Sequence, residues 1–212
     1  MSADKSGSPQ CGIYVQINDF SNMLDNIGYV RQMALVVNRA SGYEKNMVVI
    51  ELAYSKEYEE RLIDFIPIVR DQGFVVVISG NVEIAAKADG ILIDNLNNLN
   101  AMREALGDDA IIGINCKSKK AAEECLSATP DYVVLNADPS LISWWSASTE
   151  ILSCARSKKG LTASNCGALA AAGASFVDVS DYILKHKKGI MQGTVNVQHE
   201  IEQGLAMPKA LN

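Results

Sequence analysis

Residues 74–136 read FVVVISGNVEIAAKADGILIDNLNNLNAMREALGDDAIIGINCKSKKAAEECLSATPDYVVLN. Three runs in this stretch, FVVVIS, AIIGI and DYVVL, are continuously apolar rather than alternating. A strand buried on both faces has this pattern, and such strands belong to parallel sheets covered by helices. Between them lie helical phrases with stop and start residues. Asn98–Leu106 ends at Gly107, and Ser118 precedes KKAAEECLSA as an N-cap. Strand, helix, strand, repeated, means parallel strands joined by right-handed crossovers.

The same alternation extends outward. Strands are expected at Gly12–Ile17, Met47–Leu52, Phe74–Ser79, Gly90–Ile93, Ile111–Ile114, Tyr132–Leu135, Ile151–Ala155 and Phe176–Val179. Asp19 or Ser21 is expected to cap a helix reaching about Asn38. Ser55 precedes a helical pattern that stops at Gly73 and contains Pro67, a residue expected to kink or break it. Thr162 opens another helix that ends at Gly173. Eight βα units predict an α/β fold, a single (β/α)8 TIM barrel with parallel strands; an open doubly wound sheet is the alternative. No G-x-G-x-x-G follows the first strand and no Walker A motif occurs, which weakens the dinucleotide and nucleotide readings. The barrel is expected over residues 11–205, with a disordered polar tail at 1–10 and a C-terminal tail at 206–212.

Composition agrees. A length of 212 residues suffices for a barrel, which needs at least about 200. Hydrophobic residues make up 48% and charged residues 21%, which excludes wholesale disorder. The net charge of −6 argues against a nucleic-acid partner held by phosphate contacts. Five cysteines, an odd number with no Cys-x-x-Cys pair, argue against a disulfide framework or zinc site. Residues 1–10 lack the apolar core of a signal peptide, and no apolar run reaches membrane-spanning length. A cytoplasmic protein with no membrane partner is expected.

Four segments of the second half carry a resemblance: ADGILIDNLNNL from Ala88, AIIGINCKSKKAAEE from Ala110, PDYVVLNADP from Pro130, and KGLTASNCGALAAAGASFVDVSDYI from Lys159. In order and spacing they resemble the thiamine phosphate synthase family and its thiazole tautomerase relatives, from about Phe74 to Tyr182, and more weakly back to Cys11. The resemblance implies a (β/α)8 barrel with its reaction at the C-terminal strand ends. The family's synthase joins a hydroxymethylpyrimidine diphosphate to a thiazole phosphate, releasing pyrophosphate with the help of Mg²⁺.

Carried over residue by residue, the resemblance is uneven. After the second strand the family holds pyrophosphate with a glutamine, an arginine and a lysine. Here Glu51, Ala53 and Ser55 stand there, and Lys56 is one position off. The magnesium acids fall on Gly80, which follows Ser79, and on Asn97, with Asp94 nearby; an amide and a glycine suit Mg²⁺ poorly. Lys117 occupies the place of the tautomerase histidine, beside Asn115, and a lysine of ordinary pKa is a poor base at neutral pH. The implied catalytic candidates are therefore Lys117 and Ser79, with Glu51, Asn115 and Asn136 in the substrate pocket. The implied phosphate turn is Lys159, Gly160 and Leu161, joined by Ser180 after the last strand. A glycine turn and a helix start can bind phosphate through backbone N–H groups. Two readings stand: a thiamine phosphate synthase, or a catalytically degenerate member that binds a phosphorylated small molecule.

Three short windows hold nine of the 19 Lys and Arg residues: 117–120, 156–159 and 185–188. In a barrel they could form a positive rim at the mouth, or be ordinary solvated clusters. Of Trp144 and Trp145, one is expected to pack on the barrel and the other to cover it. Cys116, beside Lys117, is read as a buried cysteine, with an activated thiolate as the alternative.

Overall fold

A computed structural model describes residues 10–39 and 47–207. Eight parallel strands close in sequence order into a barrel: β1 (Gly12–Ile17), β2 (Val48–Ala53), β3 (Val75–Ser79), β4 (Gly90–Ile93), β5 (Ile111–Asn115), β6 (Tyr132–Asn136), β7 (Leu152–Arg156) and β8 (Phe176–Asp178). The helices are α1 (Met23–Val37), α2 (Glu59–Arg70), α3 (Val82–Ala85), α4 (Leu99–Leu106), α5 (Lys119–Ala128), α6 (Pro139–Ser148), α7 (Ala163–Ala171), α8 (Ser180–Leu184) and α9 (Ile190–Ala206). All eight expected strands are present; β1 and β4 have the expected bounds, and the ends of the others shift by one residue at most. Of the expected tails, residues 1–9 and 208–212 lie outside the described residues. Among the described residues, no helix is long and apolar enough to cross a membrane.

The continuous apolar runs follow from the two-sided burial of each strand. Ile13, Val15 and Ile17 of β1 pack outward in the large cluster shared with the helices, whereas Tyr14 packs inward. The interior holds Tyr14, Val49, Val77, Leu92, Tyr132, Val134 and Cys154, so the barrel has a packed centre and no pore. Gly113 makes room there: a Cβ at this position would lie 2.2 Å from the Cζ of Tyr132.

The helix boundaries show which local signals prevail. Ser118 caps α5 through Ala121 N–H, and Thr162 with Asn165 forms a capping box at α7. The cap of α1 is Asn22, three residues past Asp19, whose carboxylate instead accepts from Ser21 N–H at 2.8 Å. A 3-10 turn, Lys56–Tyr58, separates Ser55 from α2. Helix α2 then runs on through Pro67, contrary to the expected break. Leu62, Phe65, Ile66 and Val69 are all buried, and Pro67 lies on the opposite, exposed side. There the Ile63 carbonyl left without its amide partner can be hydrated while packing holds the other face. Trp145 is buried and donates from Nε1 to the Ile151 carbonyl at 2.8 Å. Trp144 is only partly buried and carries Lys119 over its ring, 4.5 Å from the centroid.

Gly113→Ala is expected to destabilise the barrel by about 3 kcal/mol, the upper range for overpacking a filled core. Adding Tyr132→Leu should recover part of that loss by removing the ring. Urea unfolding of the two variants checks both statements.

Candidate functional site

Side chains alternate along each strand, so the last inward residues collect at the C-terminal mouth. Four of them, Gln16, Glu51, Arg156 and Asp178, interrupt otherwise apolar strands and bond to one another. Arg156 Nη2 donates to Glu51 Oε2 and Arg156 Nε to Asp178 Oδ2, each at 2.5 Å. Glu51 Oε2 also accepts from the Tyr14 hydroxyl at 2.9 Å, and its Oε1 accepts from Gln16 Nε2 at 2.8 Å. Below, the Tyr14 and Tyr132 hydroxyls lie 3.2 Å apart. The guanidinium carbon sits 5.2 Å above the centre of the Tyr14 ring. Glu51 is 1% exposed and Arg156 21%, so the arginine is the member of the pair that reaches the mouth. Its Nη1 makes no hydrogen bond among the described residues, leaving two N–H donors for another acceptor.

The electrostatics follow from burial and these pairings. Burial works against the Arg156 charge, but Glu51 and then Asp178 outweigh it and hold the guanidinium firmly protonated. Burial pushes the Tyr14 hydroxyl well above its ordinary value, and the fields of Tyr132 and Glu51 add to it. Burial likewise raises Tyr132. Both phenols are neutral donors at physiological pH.

A second, exposed cluster joins β4 to β5. Asn115 Nδ2 donates to Asp94 Oδ1 at 2.9 Å, and Lys117 Nζ lies 3.5 Å from Asp94 Oδ2. Two of the expected residues therefore meet, around an acid that pairs with both. Ser79 is partly buried at the end of β3, where its carbonyl accepts from Tyr54 N–H at 2.8 Å. Asn136 is exposed at the end of β6, in register with Arg156. Asn97 is exposed on a 3-10 turn, and its N–H donates to Asn95 Oδ1. Among the described residues, no three His, Cys, Asp or Glu side chains converge as a metal-binding group. With Asp94 engaged by Asn115 and Lys117, this donor set does not fit Mg²⁺.

The turn after β7 is shaped by a glycine and faces the Asp181 carboxylate: a Cβ at Gly160 would lie 3.3 Å from Asp181 Oδ2. Gly160 has φ +75°, a left-handed conformation that favours glycine. Leu161 is buried, so it can offer only backbone, while Lys159 is exposed. The first two N–H groups of α7, at Ala163 and Ser164, have no partner within the helix. Beyond β8 the donors are already engaged. The Ser180 hydroxyl donates to Asp178 Oδ1 and accepts from Gln16 N–H at 2.7 Å, and Ser180 N–H donates to the same carboxylate oxygen at 3.1 Å. Asp181 pairs with Lys185 at 2.6 Å. The three basic windows thus differ in role: Arg156 turns into the barrel, Lys117 pairs with Asp94, and Lys185 pairs with Asp181.

Tyr14, Gln16 and Asp178 were not singled out by the motifs, and Arg156 counted only as one residue of a basic window. A signal was nonetheless present. In YVQI, VIEL, SCAR and FVD, a polar residue breaks an apolar strand near its end, at the alternate position that faces inward.

Fold and mouth together define a (β/α)8 barrel with an arginine-centred inner cluster. Residues 33–137 match the sequence profile of the family described as thiamine monophosphate synthase, and this part of the chain resembles that family. Among solved structures, it is similar to thiamine phosphate pyrophosphorylase from Pyrococcus furiosus, with 16% identity and TM-score 0.74 over 94% of this chain and 99% of that one. It is also similar to orotidine 5'-phosphate decarboxylase from Pyrococcus horikoshii, at 11% identity and TM-score 0.69 over 90% and 99%. A third is (S)-3-O-geranylgeranylglyceryl phosphate synthase from Thermoplasma acidophilum, at 12% identity and TM-score 0.65 over 91% and 94%. These identities speak for the shared barrel alone. No curated protein sequence matches significantly.

Arg156→Met leaves Glu51 buried without its cation and is expected to cost about 3–5 kcal/mol, read by urea unfolding. The phenols set an alkaline limit. Their folded pKa values lie above the unfolded value near 10, so the unfolded chain releases protons first. The stability they contribute is fully present below about pH 10 and falls as pH rises beyond it. In a spectrophotometric titration, Tyr14 and Tyr132 should form tyrosinate only as the chain unfolds. The Tyr14→Phe, Tyr132→Phe double variant should lose that late step.

Proposed function

We propose that this barrel binds a phosphorylated small molecule at its C-terminal mouth without carrying out the magnesium-dependent transfer of a pyrimidine diphosphate. The ion pair between Glu51 and Arg156 carries this reading. Glu51 stands where the family resemblance implies a neutral amide beside two cations that hold pyrophosphate. A buried carboxylate there repels a pyrophosphate, whereas Arg156, rooted on the other side of β1, keeps donors for a single anionic group. The turn Lys159–Leu161 and the start of α7 add backbone N–H groups and one lysine on the same side of the mouth. Of the residues placed by the resemblance, Lys117 and Asn115 then contact the ligand from the β5 side, around Asp94. Ser79 and Asn136 line the opening, and Ser180 acts indirectly by holding Asp178.

A second reading keeps the family's reaction: joining the pyrimidine diphosphate to the thiazole phosphate with release of pyrophosphate. The profile match over residues 33–137 favours it. The loss of acids at Gly80 and Asn97 and of cations at Ala53 and Ser55 weighs against it.

One experiment separates the readings. Purified chain is incubated with both substrates and Mg²⁺, thiamine phosphate is quantified, and binding of thiamine phosphate is followed by calorimetry. Binding without turnover is the expected result, and Arg156→Lys should weaken that binding about tenfold, as loss of a bidentate donor pair does. Turnover would establish the second reading. Neither turnover nor binding would overturn both.

A further inference from the structure

Cys116 follows the last residue of β5, and Cys125 lies in α5, nine residues on. Their sulfur atoms are 3.6 Å apart. Cys116 is 4% exposed and Cys125 is fully buried, both in the layer between barrel and helices. Both are free thiols. Nothing in the proposed ligand site uses this pair, yet it is fastened to that site, since Cys116 sits between Asn115 and Lys117.

We infer that Cys116 and Cys125 form a redox modification site, a dithiol that hydrogen peroxide converts to a disulfide. A disulfide needs its sulfurs at about 2.05 Å, so they must approach by about 1.5 Å. Thiol rotation and a small shift of the ten-residue α5 can supply this. Either sulfur can donate the hydrogen bond between them; with Cys116 donating, Cys116 is held in the thiol form and Cys125 is shifted toward thiolate. The thiolate is the nucleophile in such chemistry. Cys125 thiolate attacks a peroxide oxygen, the O–O bond breaks, and the departing hydroxide takes a proton to leave as water, giving the sulfenic acid. The Cys116 sulfur then displaces the sulfenic hydroxyl, which leaves as a second water with the Cys116 proton. Two thiols are oxidised by two electrons, and one peroxide is reduced to two waters.

Burial selects the oxidant. A peroxide molecule is close to water in size, whereas a tripeptide disulfide such as oxidised glutathione cannot reach a sulfur that is 4% exposed or less. Cys154, buried inside the barrel, serves as a control. The bond would draw α5 toward β5 and displace the Asn115–Cys116–Lys117 segment around Asp94.

The test treats the whole folded chain with hydrogen peroxide or with oxidised glutathione, then alkylates under denaturing conditions and maps the peptides. With peroxide, the Cys116 and Cys125 thiols should be lost together, giving a Cys116–Cys125 linked peptide lighter by two hydrogens and restored by dithiothreitol. With oxidised glutathione, both should remain alkylatable. In Cys116→Ala the oxidation should stop at a sulfenic acid on Cys125, trapped by a cyclic 1,3-diketone. Both thiols still alkylatable after peroxide, a sulfinic acid on either residue in place of the link, or equal oxidation by glutathione disulfide would overturn the inference. The wild-type maps decide the matter even where the variant does not fold.

Discussion

The bond network around Arg156 is the constraint on which the mouth of this barrel depends. Its guanidinium reaches from β7 to Asp178 on the neighbouring β8 and to Glu51 on β2, two strands further round. One cation between two carboxylates leaves a formal charge of −1 in a nearly dry place. A buried charge persists only when hydrogen-bonded. The remaining donors are supplied by Tyr14, Gln16 and Ser180, so each carboxylate oxygen has a partner. Tyr14 in turn rests on Tyr132, whose ring occupies the space left by Gly113. The polar mouth and the apolar barrel centre are one packed unit.

That unit shows how family and chain diverge. Residues 33–137 match the profile of the thiamine monophosphate synthase family. The residues that would hold a pyrophosphate after β2 have gone, and the strong cation at the mouth comes from β7. On the proposed reading, moving the positive charge to another strand changes the shape of anion that fits. A diphosphate gripped by two cations and a single anionic group met by one guanidinium are different recognition problems.

Much of the fold was legible because parallel strands buried on both faces leave a direct mark, as in FVVVIS and DYVVL. Ser118 and Thr162 acted as the caps they resembled. Pro67 did not act as a breaker, because four buried neighbours on α2 outweigh one missing hydrogen bond placed toward solvent. The mouth was only half legible. Asn115 and Lys117 lie close together in sequence and meet as their spacing suggests. Glu51 and Arg156 are 105 residues apart, and only closure of the barrel brings them together. Alternation within a strand says which way a side chain faces, but not which distant strand it will find across the axis.

Asp178 has a further consequence for any ligand. Its carboxylate accepts from the backbone and hydroxyl of Ser180, the same donors that a free anion arriving beside β8 would seek. The chain thus carries its own competitor, tethered two residues away and therefore present at a very high effective concentration. An incoming phosphate gains nothing by displacing it, since Arg156 would lose a partner in the exchange. On the proposed reading, occupancy of the alternative steers an anion toward the β7 turn, a form of specificity that no contact with the ligand itself would reveal.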